Sequence, residues 1–336
     1  MRNIRAYIDF LKEGIELPNN TGLKVSFDKN DMEFVRKSLK DGRPVWWNVS
    51  ARVSGSYNKD SGPLDLIELY NEEWVSQFAE EPTNQRISSF FYQFMFSPGT
   101  NLTGIKIPEG LGPLFFDVGV NLTDADFSDS HVISSAFMEC EMKGIDLSNA
   151  QISNVKILKC NMDGANLTQI KNEVQPRSDS KSSKFEKTSM KSVNLSNSNL
   201  HYSKIISCNL SGSNLSHGNF YGCNMKYSNL SNCDISHSKL NYIDFYRANL
   251  SGVKGLETCE ISGEMDFRGS NLTGVSDEFF QMIFELHTKD KLKVWKSKEN
   301  SWAKATPAEF FKGCKLPERV QRKVSRMSGM SAMFSS

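Results

Sequence analysis

The chain has 336 residues, of which 38% are hydrophobic, and its 40 lysines and arginines almost balance its 39 aspartates and glutamates. This length allows two or three domains. The balance of charge excludes a strong overall field toward nucleic acid or anionic lipid, so we expect a soluble protein and no nucleic-acid ligand.

The first residues do not look like a targeting segment. Acidic residues interrupt the short apolar stretch, and no small-residue cleavage site follows it, which argues against a Sec signal peptide. The sequence has no run of about 18 apolar residues, so we expect no transmembrane segment. Peripheral association with a membrane stays open.

Residues 1–100 have no five-residue period, and their patterns are those of mixed helix and strand. A strand is predicted over Val45–Val53. Helices are predicted over Ile4–Lys12, Asp31–Leu39, Leu64–Phe78 and Ile87–Phe96. We expect a small α+β domain that caps the next domain, because an uncovered sheet end invites polymerisation.

A period of five residues dominates the middle of the chain. Every fifth position from Leu122 to Leu167 is apolar, and the period restarts in a new phase from Phe185 to Leu250. Such a run of 24 apolar positions is far beyond ordinary patterning. The large residues assigned to the core are Leu122, Phe127, Phe137, Leu147, Leu167, Leu195, Leu200, Leu210, Leu215, Phe220, Leu230, Leu240, Phe245 and Leu250.

The period of five fits neither a helix nor a single strand. It fits a square coil in which each side is one pentapeptide, with a large residue and the small residue two positions before it pointing inward. Asn or Asp usually stands between them and suits the corners. We expect an all-β right-handed quadrilateral β-helix over 101–275, with six coils from the 24 repeats.

Two interruptions break this array. A polar segment over 168–184 is predicted to leave one corner as a loop, either as a tolerated insertion or as a contact site. A second slip over 252–265 is predicted to be an irregular coil.

The seven cysteines show no metal-binding spacing. Five of them occupy the small inward position and are interpreted as core filler: Cys140, Cys160, Cys208, Cys223 and Cys233. Cys259 falls in the irregular coil and Cys314 in the tail, and neither has a histidine nearby to activate it as a nucleophile.

Residues 276–336 are predicted to form a helical cap and a basic tail. Apolar residues from Phe279 to Leu286 recur at helical spacing, and a second helix is predicted over Ala308–Phe311. The candidate partner-binding residues are Lys312, Lys315, Arg319, Arg322, Lys323 and Arg326. A frayed, solvated end is the alternative for this segment.

The repeated pattern is Ala/Ser/Cys, then Asn/Asp, then Leu/Phe/Met, then two variable residues, and it resembles the bacterial pentapeptide-repeat family over about 120–272. The resemblance implies a solenoid scaffold, on which many different surfaces can be displayed.

An enzyme needs titratable groups gathered in a cleft, and a narrow solenoid is filled by its own side chains. The five histidines are scattered, although His217 and His237 are twenty residues apart and should stack. We expect no catalytic residue, no cofactor and no metal site.

Some pentapeptide-repeat proteins mimic DNA and bind gyrase, which requires an acidic rod. Here residues 120–167 carry seven acids and three bases, whereas residues 183–250 carry three acids and seven bases. The rod is bipolar, so cytosolic gyrase binding is an alternative rather than our main prediction.

The order of a non-repetitive region, an array and a short tail resembles type III secreted effectors of this family. That resemblance implies a non-enzymatic scaffold made in the bacterial cytoplasm and secreted into the host cell, where it binds a host protein. A further alternative is the substrate-recognition part of a ubiquitin-ligase-like effector, which would require a catalytic lobe beyond these residues.

Overall fold

The computed structural model describes residues 15–16, 22–27, 50–58, 93–107, 114–172, 183–262, 264–296 and 301–334. Three of the predicted helices lie outside the described residues: Ile4–Lys12, Asp31–Leu39 and Leu64–Phe78.

Short strands and many single bridges build the described fold. The strands are β1 (Ile15–Glu16), β2 (Leu23–Phe27), β3 (Ser50–Gly55), β4 (Gln93–Phe96), β5 (Leu114–Phe116), β6 (His131–Ile133), β7 (Ala136–Met138), β8 (Gln151–Ser153), β9 (Lys156–Leu158), β10 (Lys171–Asn172), β11 (Lys184–Glu186), β12 (Lys204–Ile206), β13 (Lys293–Lys296) and β14 (Ser301–Lys304). The sheet orders are β1-β2-β3-β4-β5-β7-β9-β11-β12, β10-β8-β6 and β13-β14.

Each side of the solenoid is one five-residue unit that ends in a tight turn. In residues 165–169, Ala165 and Leu167 are buried. The Oδ1 atom of Asn166 accepts hydrogen bonds from the N–H of Thr168 at 3.2 Å and from its hydroxyl at 2.9 Å. Gln169 adopts a left-handed φ of 57°. The Asn side chain therefore organises the corner, as such side chains do in isolated turns.

Successive coils stack with a repeat of twenty residues. Asn209, Asn229 and Asn249 form consecutive parallel bridges. The N–H of Leu210 donates to the carbonyl of Asn229 at 2.7 Å, and the N–H of Asn229 donates to the carbonyl of Cys208 at 2.8 Å. The backbone polar groups of each coil are thus paired with the coils above and below.

The interior is packed with the large residues of the five-residue period. All fourteen residues assigned to the core from the sequence are at most 3% exposed. The rings of Phe96, Phe116 and Phe137 stack along the axis with centroid separations of 4.5 and 4.6 Å. Burial of each such side chain contributes about 2 kcal/mol before the cost of ordering the chain.

The predicted loop over 168–184 is narrower in the structure. Strand β10 pairs with β8, and β11 pairs with β9, so both ends of the predicted loop belong to the solenoid. Asn172 takes the inward centre position and is 1% exposed. Its Nδ2 atom donates to the Ser203 hydroxyl at 3.0 Å and to the His201 carbonyl at 3.2 Å. Residues 173–182 lie outside the described part.

The irregular coil predicted over 252–265 keeps the stacking. Lys254 bridges to Asp234, and Glu260 bridges to Lys239. A short 3-10 helix over Leu256–Thr258 accommodates the additional residues. Cys259 directly follows this 3-10 helix and is buried, and its sulfur contacts the Ile235 carbonyl oxygen at 3.0 Å.

The described residues before position 100 continue the solenoid sheet. Strands β3, β4 and β5 pair in parallel, and β1–β2–β3 form an antiparallel addition at the sheet end. The helix predicted over Ile87–Phe96 is wrong at its described end, because residues 93–96 are strand β4. Phe96 is fully buried there against Phe116, and this burial overrides the helical pattern.

Three helices follow the array: α1 (Asp277–Thr288), α2 (Pro307–Phe310) and α3 (Glu318–Phe334). The Ser276 hydroxyl accepts the N–H of Phe279 at the start of α1. The Thr306 and Glu309 side chains form a capping box on α2. Phe279 and Phe310 both contact Phe267 with ring centroids 5.7 Å away.

Between α2 and α3 the chain returns to the solenoid for one further side. Lys315 bridges to Asn271, and its N–H donates to the Ser270 carbonyl at 2.9 Å. Cys314 stands next to Ser270, where its sulfur contacts the Phe267 carbonyl oxygen at 2.8 Å. The segment 313–316 therefore repeats the small-then-large inward pattern about forty residues after the array ends.

Candidate functional site

The predicted basic residues near the C-terminus lie on two adjoining elements. Lys315 lies on the additional solenoid side and Lys312 lies just before it. The remaining four residues lie on α3. We call this set the C-terminal basic surface, and all of its side chains are exposed: Lys312, Lys315, Arg319, Arg322, Lys323 and Arg326.

Packing of α3 on α1 orients this surface. Val320 and Val324 are buried on one side of α3. Next to them, Arg319 pairs with Asp277 at the start of α1, and Nζ of Lys323 lies 4.2 Å from the ring centroid of Phe284, also on α1. The described part of α3 is an amphipathic helix with Val320 and Val324 on its buried side.

A second feature is an aromatic cleft on one corner of the solenoid. Its volume is about 370 Å³. Tyr202, Tyr221 and Tyr242 follow one another on successive coils, with ring centroids 5.5 and 5.2 Å apart, and Trp302 of β14 continues the row 6.1 Å from Tyr242. The other lining residues are Gly222, Cys223, Asn224 and Asp244.

Asp244 is the acidic group of this cleft. Its carboxylate pairs with Lys226 at 2.9 Å. Burial raises the pKa of Asp244 above its ordinary value, while the bond to Lys226 acts in the opposite direction. Gly222 has a φ of 66°, and a Cβ atom there would lie 2.6 Å from the Tyr202 ring, so the glycine allows the ring to rest against the corner.

Six of the seven cysteines lie where the neutral thiol is favoured, whereas the hydrogen bond with Cys140 lowers the pKa of Cys160. Burial raises the pKa of Cys208, Cys223, Cys233 and Cys259 to about 12. A hydrogen bond with Cys160, together with burial, raises the pKa of Cys140. Burial also raises the pKa of Cys314. These environments disfavour the thiolate that a nucleophile requires.

The imidazole rings of His217 and His237 stack at a centroid distance of 5.0 Å, as their spacing predicts. Within the described ranges, no group of three or more His, Cys, Asp or Glu side chains could hold a metal ion. The helices of the described residues are all too short or too polar to cross a membrane.

Sequence reasoning missed the aromatic cleft. A signal was present, because His201 and Tyr221 are twenty residues apart and Tyr202 and Tyr242 are forty apart, which places them at one corner. Trp302 had no such signal, since its hairpin lies outside the period.

The family model described as pentapeptide repeats matches residues 137–169, 181–216, 194–226 and 228–254, which together make up about a third of the chain and about five turns of the solenoid. No curated protein matches the chain significantly.

Solved structures similar to this chain include HetL, a pentapeptide repeat protein of the cyanobacterium Nostoc sp. strain PCC 7120. It is 17% identical, and the match covers 55% of this chain and 81% of HetL with a TM-score of 0.39. Full-length QnrB1, a plasmid-mediated fluoroquinolone resistance protein, is 18% identical over 57% of this chain and 87% of its own, with a TM-score of 0.25. A pentapeptide repeat protein of the Arabidopsis thaliana thylakoid lumen is 15% identical over 42% and 79%, with a TM-score of 0.15.

The family-model match coincides with the residues that form five-residue sides and twenty-residue coils. The matched segments build a β-solenoid of about five turns that is similar to the folds of pentapeptide-repeat proteins.

Proposed function

We propose that this protein is a non-enzymatic interaction scaffold whose C-terminal basic surface binds an acidic patch on a protein partner. The observation that carries the proposal is the gathering of six exposed basic side chains at one end of a rod whose interior is already filled. Such a surface attracts acidic partners over a distance of about one Debye length, and the attraction weakens with salt.

We further propose that residues 1–100 and 276–336 act as end caps of a 101–275 array. The contacts of Phe279 and Phe310 with Phe267 support this role at the C-terminal end. At the other end, the antiparallel β1–β2–β3 addition supports it, because it interrupts the parallel stacking that a second copy could extend.

Binding to the basic surface is tested by affinity capture with the full-length protein and two charge-reversal variants. The first variant changes Lys312, Lys315 and Arg326 to Glu and leaves in place Arg319 and Lys323, which contact α1. The control variant changes the exposed array residues Lys143, Lys156 and Lys187 to Glu. A partner identified by mass spectrometry is then purified, and its affinity is measured directly.

We expect the first variant to lose at least tenfold in affinity and the control variant to keep wild-type affinity, since only one of them removes the complementary charge. Equal loss in both variants would show that net charge, rather than this surface, governs binding. Capture of gyrase with equal affinity by all three proteins would instead favour the rod itself as the binding surface.

The partner we propose is a host protein, and the route is type III secretion from the bacterial cytoplasm into the host cell. This proposal of a secreted protein with a host partner is supported by the order of its parts, which are a non-repetitive region, an array and a basic C-terminal segment. The test is the export of tagged full-length protein from a secretion-competent bacterium and from an isogenic strain that lacks the secretion ATPase. Equal amounts outside both strains would contradict the route.

A further inference from the structure

We propose that the aromatic cleft binds a quaternary or methylated ammonium group. The cleft is distinct from the C-terminal basic surface, and the proposal does not depend on that surface. It rests on the ring geometry, on the charge of the lining residues and on the size of the cleft.

The first argument is the orientation of the rings. Tyr202 and Tyr221 are inclined by 77°, Tyr221 and Tyr242 by 58°, and Tyr242 and Trp302 by 69°. Neighbouring rings therefore face different directions and form an angled wall. A cation within about 6 Å of a ring centroid is attracted by the negative face of the ring, and several inclined faces can act on one cation.

The same angles leave a flat ligand only one ring at a time on which to stack. A sugar ring or a nucleobase stacks best on a single aromatic plane or on coplanar platforms. The inclinations of 58° to 77° provide no shared plane across the row.

The second argument is charge. Asp244 lines the cleft, and none of the described lining residues is a lysine or an arginine. Lys226 pairs with Asp244 and offsets part of its charge. Glu264, which is hydrogen-bonded to Tyr242, is likewise paired with Lys293, so no unpaired positive charge lines the cleft. A weakly hydrated quaternary cation suits this environment better than a primary ammonium, because the primary ammonium loses more hydration on binding.

The third argument is size and construction. A volume of about 370 Å³ lies at the lower end of the range of ligand pockets, so it suits a compact group. Three walls come from successive coils, and Trp302 comes from the β13–β14 hairpin. A salt bridge of 2.6 Å between Lys293 of β13 and Glu264 ties the hairpin to the array.

The test measures binding of choline and of its uncharged isostere 3,3-dimethyl-1-butanol to the full-length protein by ligand-observed NMR and calorimetry. N-trimethyl-lysine and lysine form a second pair, so the tighter of choline and trimethyl-lysine identifies a headgroup or a peptide source. Maltose is included as the sugar control.

We expect saturable binding of the trimethylammonium ligands, with the uncharged isostere weaker by about tenfold, a fold-change between those of an exposed and a desolvated cation–π contact. Lysine should also bind more weakly than trimethyl-lysine, because its primary ammonium loses more hydration. The change Tyr242→Ala should weaken binding by about tenfold, and Tyr242→Phe should retain it. Tyr227→Ala is the matched control, because Tyr227 is 51% exposed and contacts Tyr246 outside the cleft.

Equal affinity for choline and its isostere would overturn the proposal by showing that the cleft is merely apolar. Binding of maltose without choline, or the absence of saturable binding to a folded protein, would also overturn it. Far-ultraviolet circular dichroism of each variant confirms that the solenoid is intact before its affinity is compared.

Discussion

The array over 120–250 and the segment 313–316 share one local structure, but the sequence pattern behind it is repeated in the array and occurs only once in the segment. In both, a small inward residue precedes a large inward residue, and the residue between them bridges to the neighbouring coil. Repetition makes this pattern recognisable in the sequence of the array, whereas Cys314 and Leu316 form a single instance of it. The comparison shows that one five-residue side is a structural unit that tertiary stacking can recruit without a flanking repeat.

The largest loss in the free energy of unfolding is expected when a core side chain of the array is truncated. Phe220 is fully buried in the array, so Phe220→Ala should lower the free energy of unfolding by about 3–5 kcal/mol through lost burial and a residual cavity. Urea denaturation followed by circular dichroism measures the change. A surface control, Tyr227→Ala, should change stability by no more than about 0.5 kcal/mol. A loss near that of the control would contradict tight packing of the array.

A smaller loss is expected in the segment 313–316. Leu316 is only partly buried, so Leu316→Ala should cost about 1–2 kcal/mol. It should also speed hydrogen exchange at the N–H of Leu272, which donates to the Lys315 carbonyl at 2.8 Å, while the N–H of Leu210 in the array exchanges as before. Unchanged exchange at Leu272 would show that this side does not depend on its own large residue.

Alkaline pH should lower stability through the buried thiols of both regions. The folded pKa of Cys223 is about 12 and its ordinary value is 9.0, so above pH 9 the unfolded chain loses this proton while the folded chain retains it. Stability then falls as pH rises from 9 to 12, by at most about 1.4 kcal/mol per pH unit for this thiol.

The change Cys223→Ala should therefore flatten the pH dependence of the unfolding free energy over this range, as measured by denaturation at successive pH values. The same substitution at Cys314 serves as the comparison, since burial raises its pKa as well. Parallel curves for wild type and Cys223→Ala would contradict the shift.

The smallest change in the free energy of unfolding is expected for substitutions of the side chain that stands between the two inward residues. In the array, Asn229 donates to Asn209 at 3.1 Å and accepts from Asn249 at 2.9 Å. Asn229→Ala should cost about 1 kcal/mol in the free energy of unfolding. Lys315→Ala at the corresponding tail position should change it by less than about 0.5 kcal/mol, because it keeps the backbone bridge. Equal losses in thermal or urea denaturation would contradict a stabilising Asn ladder.

The interruption of the array shows where sequence patterns mislead. Asn172 is polar, so the apolar period ends visibly at Leu167 and the predicted loop begins too early. In the structure Asn172 is buried because Ser203 and the His201 carbonyl accept its amide hydrogens. A buried polar group with partners is compatible with the core, but its partners lie about thirty residues away in sequence.

The sequence also predicts only some features of the two candidate sites. The basic residues from Lys312 to Arg326 are recognisable in the sequence as a charge cluster, and the four of them on α3 are exposed on its polar side. Their orientation was not visible, because it depends on the packing of Val320 and Val324 at the end of the array. The tyrosines of the aromatic cleft could be placed at one corner from their spacing, but Trp302 could not.

The five-residue period is enough to predict the solenoid, most of its inward residues and the stacking of its coils, because every contact recurs after twenty residues. The positions of the non-repetitive pieces depend on tertiary contacts. Backbone pairing and ring contacts with distant coils position three such pieces: strands β3 and β4, the side formed by 313–316, and the hairpin that carries Trp302. These interactions join residues that no local sequence pattern connects.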